Sequence, residues 1–196
     1  MNSVSDLVAA MADTPAGPAD HHQEGSVLQH TIKVITELEK IRGNDPEALV
    51  AAFFHDIGKI KTPDEQLPHH YDHDKRGAEL IGSLDAWFAD VKLQATTQIV
   101  ARQHMRFKKL PDMTAVKVIR LVKKLDDTYL SAEAMVDIIE ADRLGREPTL
   151  TTNREQFETR IDAVRTATGK VAEIDTANDQ HQLQKTIEFY KDIMNT

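Results

Sequence analysis

The sequence Ala51-Ala52-Phe53-Phe54-His55-Asp56-Ile57-Gly58-Lys59 places a histidine and an aspartate side by side at the end of an apolar run. If this stretch is helical, the apolar residues one turn earlier put both polar side chains on inward-facing positions. A buried carboxylate costs free energy unless it is paired or holds a cation. The pair therefore predicts two adjacent metal ligands, an imidazole nitrogen and a carboxylate oxygen. The alternative is a helix C-terminus at which His55 and Asp56 meet solvent before Gly58.

The composition limits the classes of protein to which the chain can belong. Its 196 residues are enough for one domain with a hydrophobic core. The net charge of −8 argues against general nucleic-acid binding, and the lack of cysteine excludes disulfides and thiolate metal sites. No apolar run reaches membrane-spanning length. We expect a soluble, cytoplasmic protein with no membrane partner.

Helical periodicity runs through the whole sequence, and no stretch alternates as a strand would. Helix start and stop signals flank the periodic stretches, such as Gly43-Asn44 followed by Asp45 and Pro46. These signals predict an all-α fold of about eight or nine helices. The expected helices cover residues 3–12, 25–42, 45–56, 72–87, 90–107, 111–125, 131–143, 153–167 and 180–193.

Four further polar residues lie on apolar helix faces. They are His30 between Val27 and Val34, His73 before Gly77 and Leu80, His104 after Val100, and Asp142 after Met135 and Ile138. Singly, each has an ordinary explanation: a hydrogen-bonded core histidine for His30, a surface or capping histidine for His73 and His104, and a pair with Arg143 or Arg146 for Asp142.

Together these residues point to a metal centre, because several uncompensated buried polar groups in one small domain would cost several kcal/mol. His30, His55, Asp56 and Asp142 form a nitrogen and oxygen ligand set that suits a divalent transition metal with open positions for water. His73 and His104 are candidates to complete a second metal site or to contact phosphate.

Five motifs follow one another in a specific order over residues 20–147. They are His22-Gln23-Glu24-Gly25 leading to His30-Thr31; His55-Asp56-Ile57-Gly58-Lys59 with Thr62-Pro63; His69-His70-Tyr71-Asp72-His73 before Gly77-Ala78; His104; and Glu140-Ala141-Asp142 with Gly145-Arg146. In this order and spacing the chain resembles the HD-domain superfamily of metal-dependent phosphohydrolases, and in particular the HD domain of bacterial tRNA nucleotidyltransferases (CCA-adding enzymes).

The resemblance implies an all-α HD-domain bundle with metal at His30, His55, Asp56 and Asp142. The cofactor would be one or two divalent ions, chosen from Mn, Co, Ni, Fe, Mg and Zn. The implied activity is phosphohydrolysis of 2′,3′-cyclic phosphates and phosphomonoesters, so the partner is a phosphorylated nucleotide or an RNA end. On this basis residues 1–19 are an N-terminal helix and loop and residues 20–147 the HD domain. Residues 148–196 form a helical extension that packs on the core or forms a homo-oligomer contact.

The chain departs from this family in two respects. No strand-borne Gly-Ser followed by paired catalytic aspartates is present, so CCA addition is not expected. Asp72 stands before His73 where the family often has glycine, and Asp74 stands after it where glutamate is frequent. This departure concerns His73 alone. The four core ligands His30, His55, Asp56 and Asp142 are unaffected.

The expected chemistry assigns roles to individual residues. A bound metal supplies an activated water, and Asp56, ligating or bridging, accepts a proton from it. Lys59 reaches a phosphate oxygen and offsets developing charge. Arg102, Arg106 and Arg146 are further candidates for phosphate contacts, with surface solubility as the alternative for each. Glu24 is a candidate to orient His30.

Two other functions compete with a cyclic phosphodiesterase or phosphomonoesterase. One is a deoxynucleotide phosphohydrolase, either a 5′-nucleotidase for deoxynucleoside monophosphates or a triphosphohydrolase for the triphosphates. The other is a non-catalytic, nucleotide-binding module. The complete ligand set argues against the second, because a binding module need not keep metal ligands.

Overall fold

The computed structural model describes residues 3–147, 149 and 153–162. Its seven α-helices in the described residues are α1 Val4–Asp13, α2 Val27–Arg42, α3 Pro46–Phe54, α4 His73–Gly82, α5 Val91–Phe107, α6 Ala115–Val122 and α7 Ala132–Leu144. Residues 154–162 are also helical. Short 3₁₀ helices cover Ile57–Lys61, Asp64–Gln66, Asp85–Trp87, Leu110–Asp112 and Lys123–Leu125. The fold is all-α, as predicted. The only β-type pairing within the described residues is one isolated bridge between Pro15 and Ser26.

Side-chain caps explain where several helices begin. Ser26 and Gln29 form a reciprocal capping box at α2, with both hydrogen bonds 3.3 Å long. Asp45 accepts from Ala48 N at the start of α3, directly before Pro46 at the first helical position. These contacts satisfy backbone N–H groups that have no partner within the helix. They place the helix starts within two residues of the positions that the sequence predicts.

Three predicted helices differ from those observed. The helix expected to continue through His55 and Asp56 ends at Phe54, because Asp56 leaves the helical conformation (φ −106°, ψ 9°) and the 3₁₀ helix follows. The helix expected over residues 72–87 ends at Gly82, and the one over residues 111–125 has 3₁₀ turns at both ends. The expected stretch 153–167 is helical as far as residue 162, and the stretch 180–193 lies outside the described residues.

Two apolar clusters hold the helices together. The larger one joins α2, α3, α5, α6 and α7, and it also takes in Phe157 and Ile161. The smaller one packs Leu7 and Met11 of α1 against Val27, Ile57 and Ile81. Burial at roughly 25 cal/mol per Å² of apolar surface is the main favourable term in such packing. Within the larger cluster, α2, α3, α5 and α7 pack against one another. Helix α4 packs on α5 and on the 3₁₀ helix at residues 57–61.

The described part of the chain contains no helix that is both long enough and apolar enough to cross a membrane.

Candidate metal centre

Six polar side chains point into one interior region between α2, α4, α5, α7 and the end of α3. They are His30 on α2, His55 and Asp56 directly after α3, His73 at the start of α4, His104 on α5 and Asp142 on α7. Each is at most 9% exposed. The structure therefore brings together every residue that the sequence proposed as a metal ligand.

The first group consists of His30, His55, Asp56 and Asp142. His30 Nε2 lies 3.1 Å from Asp142 Oδ1 and 3.7 Å from Asp56 Oδ2. His55 Nε2 lies 3.4 Å from Asp56 Oδ2 and 3.9 Å from Asp142 Oδ1. Two ligand atoms that are each about 2.1 Å from one ion stand roughly 3.0–4.2 Å apart, depending on the angle. These four nitrogen–oxygen distances all fall within that range.

The second group shares Asp56 with the first. Asp56 Oδ1 lies 3.1 Å from His73 Nε2 and 3.3 Å from His104 Nε2. The two imidazole nitrogens are themselves 3.2 Å apart. Oδ1 faces this group while Oδ2 faces the first, so Asp56 would offer one oxygen to a cation in either group.

Three of the histidines are held in one tautomer by the backbone. Each ring donates its Nδ1–H to a carbonyl three residues earlier, which can only accept: His55 to Ala52 at 2.6 Å, His73 to His70 at 2.7 Å and His104 to Ala101 at 2.8 Å. Each of these Nδ1 atoms therefore carries a proton, and each Nε2 faces a carboxylate. Such outer contacts orient the histidine ligands of metal sites.

Glu24 faces the fourth histidine. Its Oε1 lies 3.0 Å from His30 Nδ1 and also 2.6 Å from His22 Nδ1. Its second oxygen accepts a hydrogen bond from Glu147 N at 3.1 Å. Glu24 is thus placed to orient His30, as the sequence suggested, and it links the segment before α2 to the residues that follow α7.

The donor atoms fit a divalent cation. Within the described residues no hydrogen bond reaches His55 Nε2 or either oxygen of Asp56. The ammonium of Lys59 is 2.7 Å from Asp56 Oδ2, but it makes an ion pair outside hydrogen-bond geometry. His73 Nε2 and His104 Nε2 lie 3.2 Å apart, close enough for both to contact one cation. A set of imidazoles and carboxylates without sulfur suits Mn, Fe, Co, Ni or Zn.

Three cationic side chains surround the two aspartates. Lys59 Nζ contacts Asp56 and donates to Ala16 O at 2.7 Å. Lys108 Nζ forms an ion pair with Asp142 Oδ2. Arg146 Nε lies 3.4 Å from Asp142 Oδ1. All three line the same cavity of about 220 Å³, beside Asp56 and His73.

These cations keep the aspartates ionised. Burial raises the pKa of the Asp56 carboxyl, but Lys59 and His55 outweigh this effect and hold its pKa well below the usual value. Burial likewise raises the pKa of Asp142, and Lys108 with Arg146 lowers it well below the usual value. Both carboxylates are thus available as anionic ligands near neutral pH.

Two arginines proposed from the sequence lie elsewhere. Arg102 on α5 forms an ion pair with Asp74, and Arg106 Nη1 is 3.4 Å from Gln103 Oε1. Neither lines the cavity. The structure brings Lys59 and Arg146 to the aspartates and does not bring Arg102 and Arg106 there.

Lys108 was not predicted from the sequence as a site residue. It follows α5 in a run with Lys109, and such a pair normally indicates a solvated helix end. A signal was present nonetheless: Lys108 is four residues after His104, so the two share a helix face. Burial lowers the pKa of Lys108, and Asp142 opposes this change.

The backbone at Asp72 accounts for the departure before His73. Asp72 has a left-handed conformation (φ 55°, ψ 21°), which glycine adopts without steric cost. Aspartate is one of the few other residues that tolerate it. The turn that precedes α4 is therefore preserved, and His73 Nε2 reaches Asp56.

Comparisons with known proteins identify the family of the chain. The family model of the HD domain matches residues 27–164. The Multifunctional CCA protein of Variovorax paradoxus (strain S110) is 30% identical over 133 residues, which cover 66% of this chain and 31% of that protein. The Multifunctional CCA protein of Nitrosococcus oceani is 31% identical over 132 residues, which cover 66% and 32%. The chain spans about a third of the length of these curated relatives, and no solved structure matches it.

Proposed function

The chain belongs to the HD-domain family, and from this we propose that it is a metal-dependent phosphohydrolase acting on nucleotide or RNA-end phosphates. The proposed reaction is of the 2′,3′-cyclic phosphodiesterase or phosphomonoesterase type. One observation carries the proposal: three imidazoles with Nδ1 held by backbone carbonyls, and a fourth facing Glu24, direct Nε2 at two ionised aspartates beside a cationic cavity.

The site residues would divide the work as follows. His30, His55, Asp56 and Asp142 would hold one divalent ion, and Asp56, His73 and His104 a second. A bound ion supplies a Lewis acid for phosphate oxygens and a water of lowered pKa. Asp56 lies between the two groups and would take a proton from the attacking water.

The cationic side chains would bind the phosphate. Lys59, Lys108 and Arg146 line the cavity and stand next to the aspartates. Hydrogen bonds between cationic donors and phosphate oxygens are among the strong ones in proteins. Such donors also stabilise negative charge that grows on a leaving oxygen.

A charge balance supports a phosphate substrate. Three carboxylates (Glu24, Asp56 and Asp142) oppose the three cationic groups Lys59, Lys108 and Arg146, so these six side chains sum to zero. One divalent ion would leave an excess of two positive charges, and two ions an excess of four. A phosphomonoester carries about −1.5 to −2 at neutral pH and would offset all of the first excess or about half of the second.

A substrate panel tests the proposal. The purified protein is assayed with Mn, Co, Ni or Mg against a 2′,3′-cyclic nucleotide, nucleoside monophosphates, and deoxynucleoside mono- and triphosphates. We expect metal-dependent hydrolysis of the cyclic nucleotide and of phosphomonoesters. Phosphate or triphosphate released only from deoxynucleotides would instead indicate the deoxynucleotide phosphohydrolase. No turnover of any substrate by metal-loaded protein would indicate a non-catalytic module.

Two variants make the panel specific. Asp56→Asn keeps the side-chain volume but removes the bridging charge, so we expect kcat/KM to fall by about 10³-fold or more and bound metal to be lost. Asp64→Asn, on an exposed side chain, is the matched control and should stay within about twofold of wild type. Full activity and metal content in Asp56→Asn would refute the assignment of Asp56.

A further inference from the structure

A large aromatic side chain stands exposed at the rim of the cavity. Tyr71 is 65% exposed, although burying an aromatic ring is favourable. Met105, which is 37% exposed, lines the same cavity. The interior of this cavity is polar and cationic and suits an anionic group of a ligand. The apolar side chains of Tyr71 and Met105 suit an apolar part of the same ligand.

Tyr71 does not stand alone. Its ring stacks on His69, with centroids 5.8 Å apart and planes 22° from parallel. His69 is stacked beside Tyr71 with an offset, and most of the surface of Tyr71 stays exposed. In the described part of the chain no hydrogen bond holds the Tyr71 hydroxyl. The two rings form a flat platform without a partner.

The segment that carries the platform is anchored. His70 stands between His69 and Tyr71 in the sequence. It accepts a hydrogen bond from Thr62 Oγ1 at 2.7 Å and donates one to Pro15 O at 2.8 Å. A surface that is already in its binding position loses less conformational entropy when a ligand arrives. The platform is therefore preorganised.

The platform lies close to the candidate metal centre. Tyr71 precedes His73 by two residues, so their α-carbons are at most about 7 Å apart. His73 Nε2 is 3.1 Å from Asp56 Oδ1. Lys59 and Tyr71 line the same cavity, so a ligand with its phosphate beside Lys59 would have the rest of its structure near Tyr71.

From this arrangement we infer that Tyr71, backed by His69, is a stacking platform for the base of a nucleotide whose phosphate lies in the cavity. The inference rests on the proposed function and narrows its substrate to phosphate esters that carry an aromatic base. Stacking on an aromatic side chain accepts any base, because every base has a π-face. Met105 adds a polarisable apolar contact at the edge of the ring. Selectivity would thus be strong for the presence of a base and weak for its identity.

Trp87 is excluded from this role by its position. It lies in the 3₁₀ helix Asp85–Trp87, packs against the smaller apolar cluster, and does not line the cavity.

Calorimetric titration of the metal-loaded protein with two ligands tests the inference. Adenosine probes the platform and inorganic phosphate probes the cavity, and because both are products, neither requires turnover. The proteins are wild type, Tyr71→Ala and Tyr71→Phe, the last of which keeps the ring. We expect Tyr71→Ala to weaken adenosine binding about tenfold, in line with the loss of one stacking contact. Tyr71→Phe should bind adenosine within about twofold of wild type, and phosphate affinity should be the same in all three.

The outcomes separate the two proposals. Adenosine that binds Tyr71→Ala as well as wild type, or binds wild type no better than ribose does, overturns the platform. A parallel loss of phosphate affinity in Tyr71→Ala also overturns it, since Tyr71 would then act on the cavity as a whole. If the adenosine result holds but phosphate does not bind wild type, the proposed phosphohydrolase function fails and the base site stands.

Discussion

At the scale of single residues, the candidate site depends on where protons are held. Backbone carbonyls fix three imidazoles with Nδ1 protonated, and Glu24 faces the fourth. His70 belongs to the same system, although it is no candidate ligand. It donates to Pro15 O from Nε2, and because burial keeps its pKa low the ring is neutral, so Nδ1 accepts from Thr62 Oγ1.

The neutral state of His70 predicts a loss of stability in acid. Burial, together with Lys59, lowers the pKa of His70 to about 4 from 6.5. Between these values the unfolded chain takes up a proton that the folded chain does not, so the free energy of unfolding falls as pH drops from 6.5 towards 4. After allowance for solvent screening, we expect His70 to contribute about 1 kcal/mol of the loss between pH 7 and pH 5. Urea denaturation of metal-free protein at both pH values measures it.

His70→Gln isolates this contribution, because the amide can still donate to Pro15 O but does not titrate. Its stability difference between the two pH values should be smaller than that of wild type by about 1 kcal/mol. His21→Gln, at an exposed histidine, should leave the wild-type difference unchanged. An equal difference in wild type and His70→Gln would contradict the neutral assignment.

At the scale of elements, the site depends on the close approach of α4 to the 3₁₀ helix after His55 and Asp56. A Cβ built on Gly58 would lie 1.9 Å from His73 O and 2.3 Å from Gly77 N, both backbone atoms. Only glycine allows this contact. It sets the position of His73 relative to Asp56 and therefore the geometry of the second candidate metal group.

Gly58→Ala should consequently damage both the fold and the site. Backbone atoms cannot yield as a flexible side chain can, so α4 must move away, and we expect a cost of about 3 kcal/mol or more. The variant that remains folded should bind less metal at the group of Asp56, His73 and His104. Thermal denaturation and metal analysis measure the two effects.

Gly82→Ala, at the other end of α4, is the matched control. Its Cβ would meet only the end of the Gln98 side chain, which can move aside. We expect a change below about 1 kcal/mol. Similar stabilities for Gly58→Ala and Gly82→Ala would show that the close approach is unimportant.

The sequence predicted the elements better than their ends. Start signals such as Ser26, Asp45 and Ser131 are local, and the structure has them as caps. The end of α3 at Phe54 is not local, because the turn after Asp56 packs against α4, more than fifteen residues further along the chain. Helical periodicity does not reflect that contact. The helix predicted over residues 45–56 was therefore too long.

The residues of the candidate site were likewise predicted only where the signal is local. His30 and Asp142 were found because a polar residue on an apolar face is visible in a local pattern. Lys108 was missed and Arg102 misplaced because the direction of a cation at a helix end depends on its neighbours in space. Arg102 faces Asp74, whereas Lys108 faces Asp142. Sequence spacing could not distinguish the two.

At the scale of the whole molecule, ion pairs tie distant segments around the core. Asp137 of α7, which is buried, contacts Arg42 Nη1 of α2 at 2.6 Å and Arg154 Nη1 at 2.7 Å. The helices that carry His30 and Asp142 are thereby linked on the side of the larger cluster. The predicted boundaries at residues 19–20 and 147–148 stay predictions.

The central claim is that helices distant in sequence meet to bind a divalent cation. Crystals grown with Mn²⁺ and measured for anomalous scattering test it most directly. The account predicts an anomalous peak about 2.0–2.3 Å from His30 Nε2, His55 Nε2 and the facing oxygens of Asp56 and Asp142, and no peak there in Asp56→Asn crystals. Manganese bound only elsewhere on the molecule, with these side chains in the positions described, would contradict it.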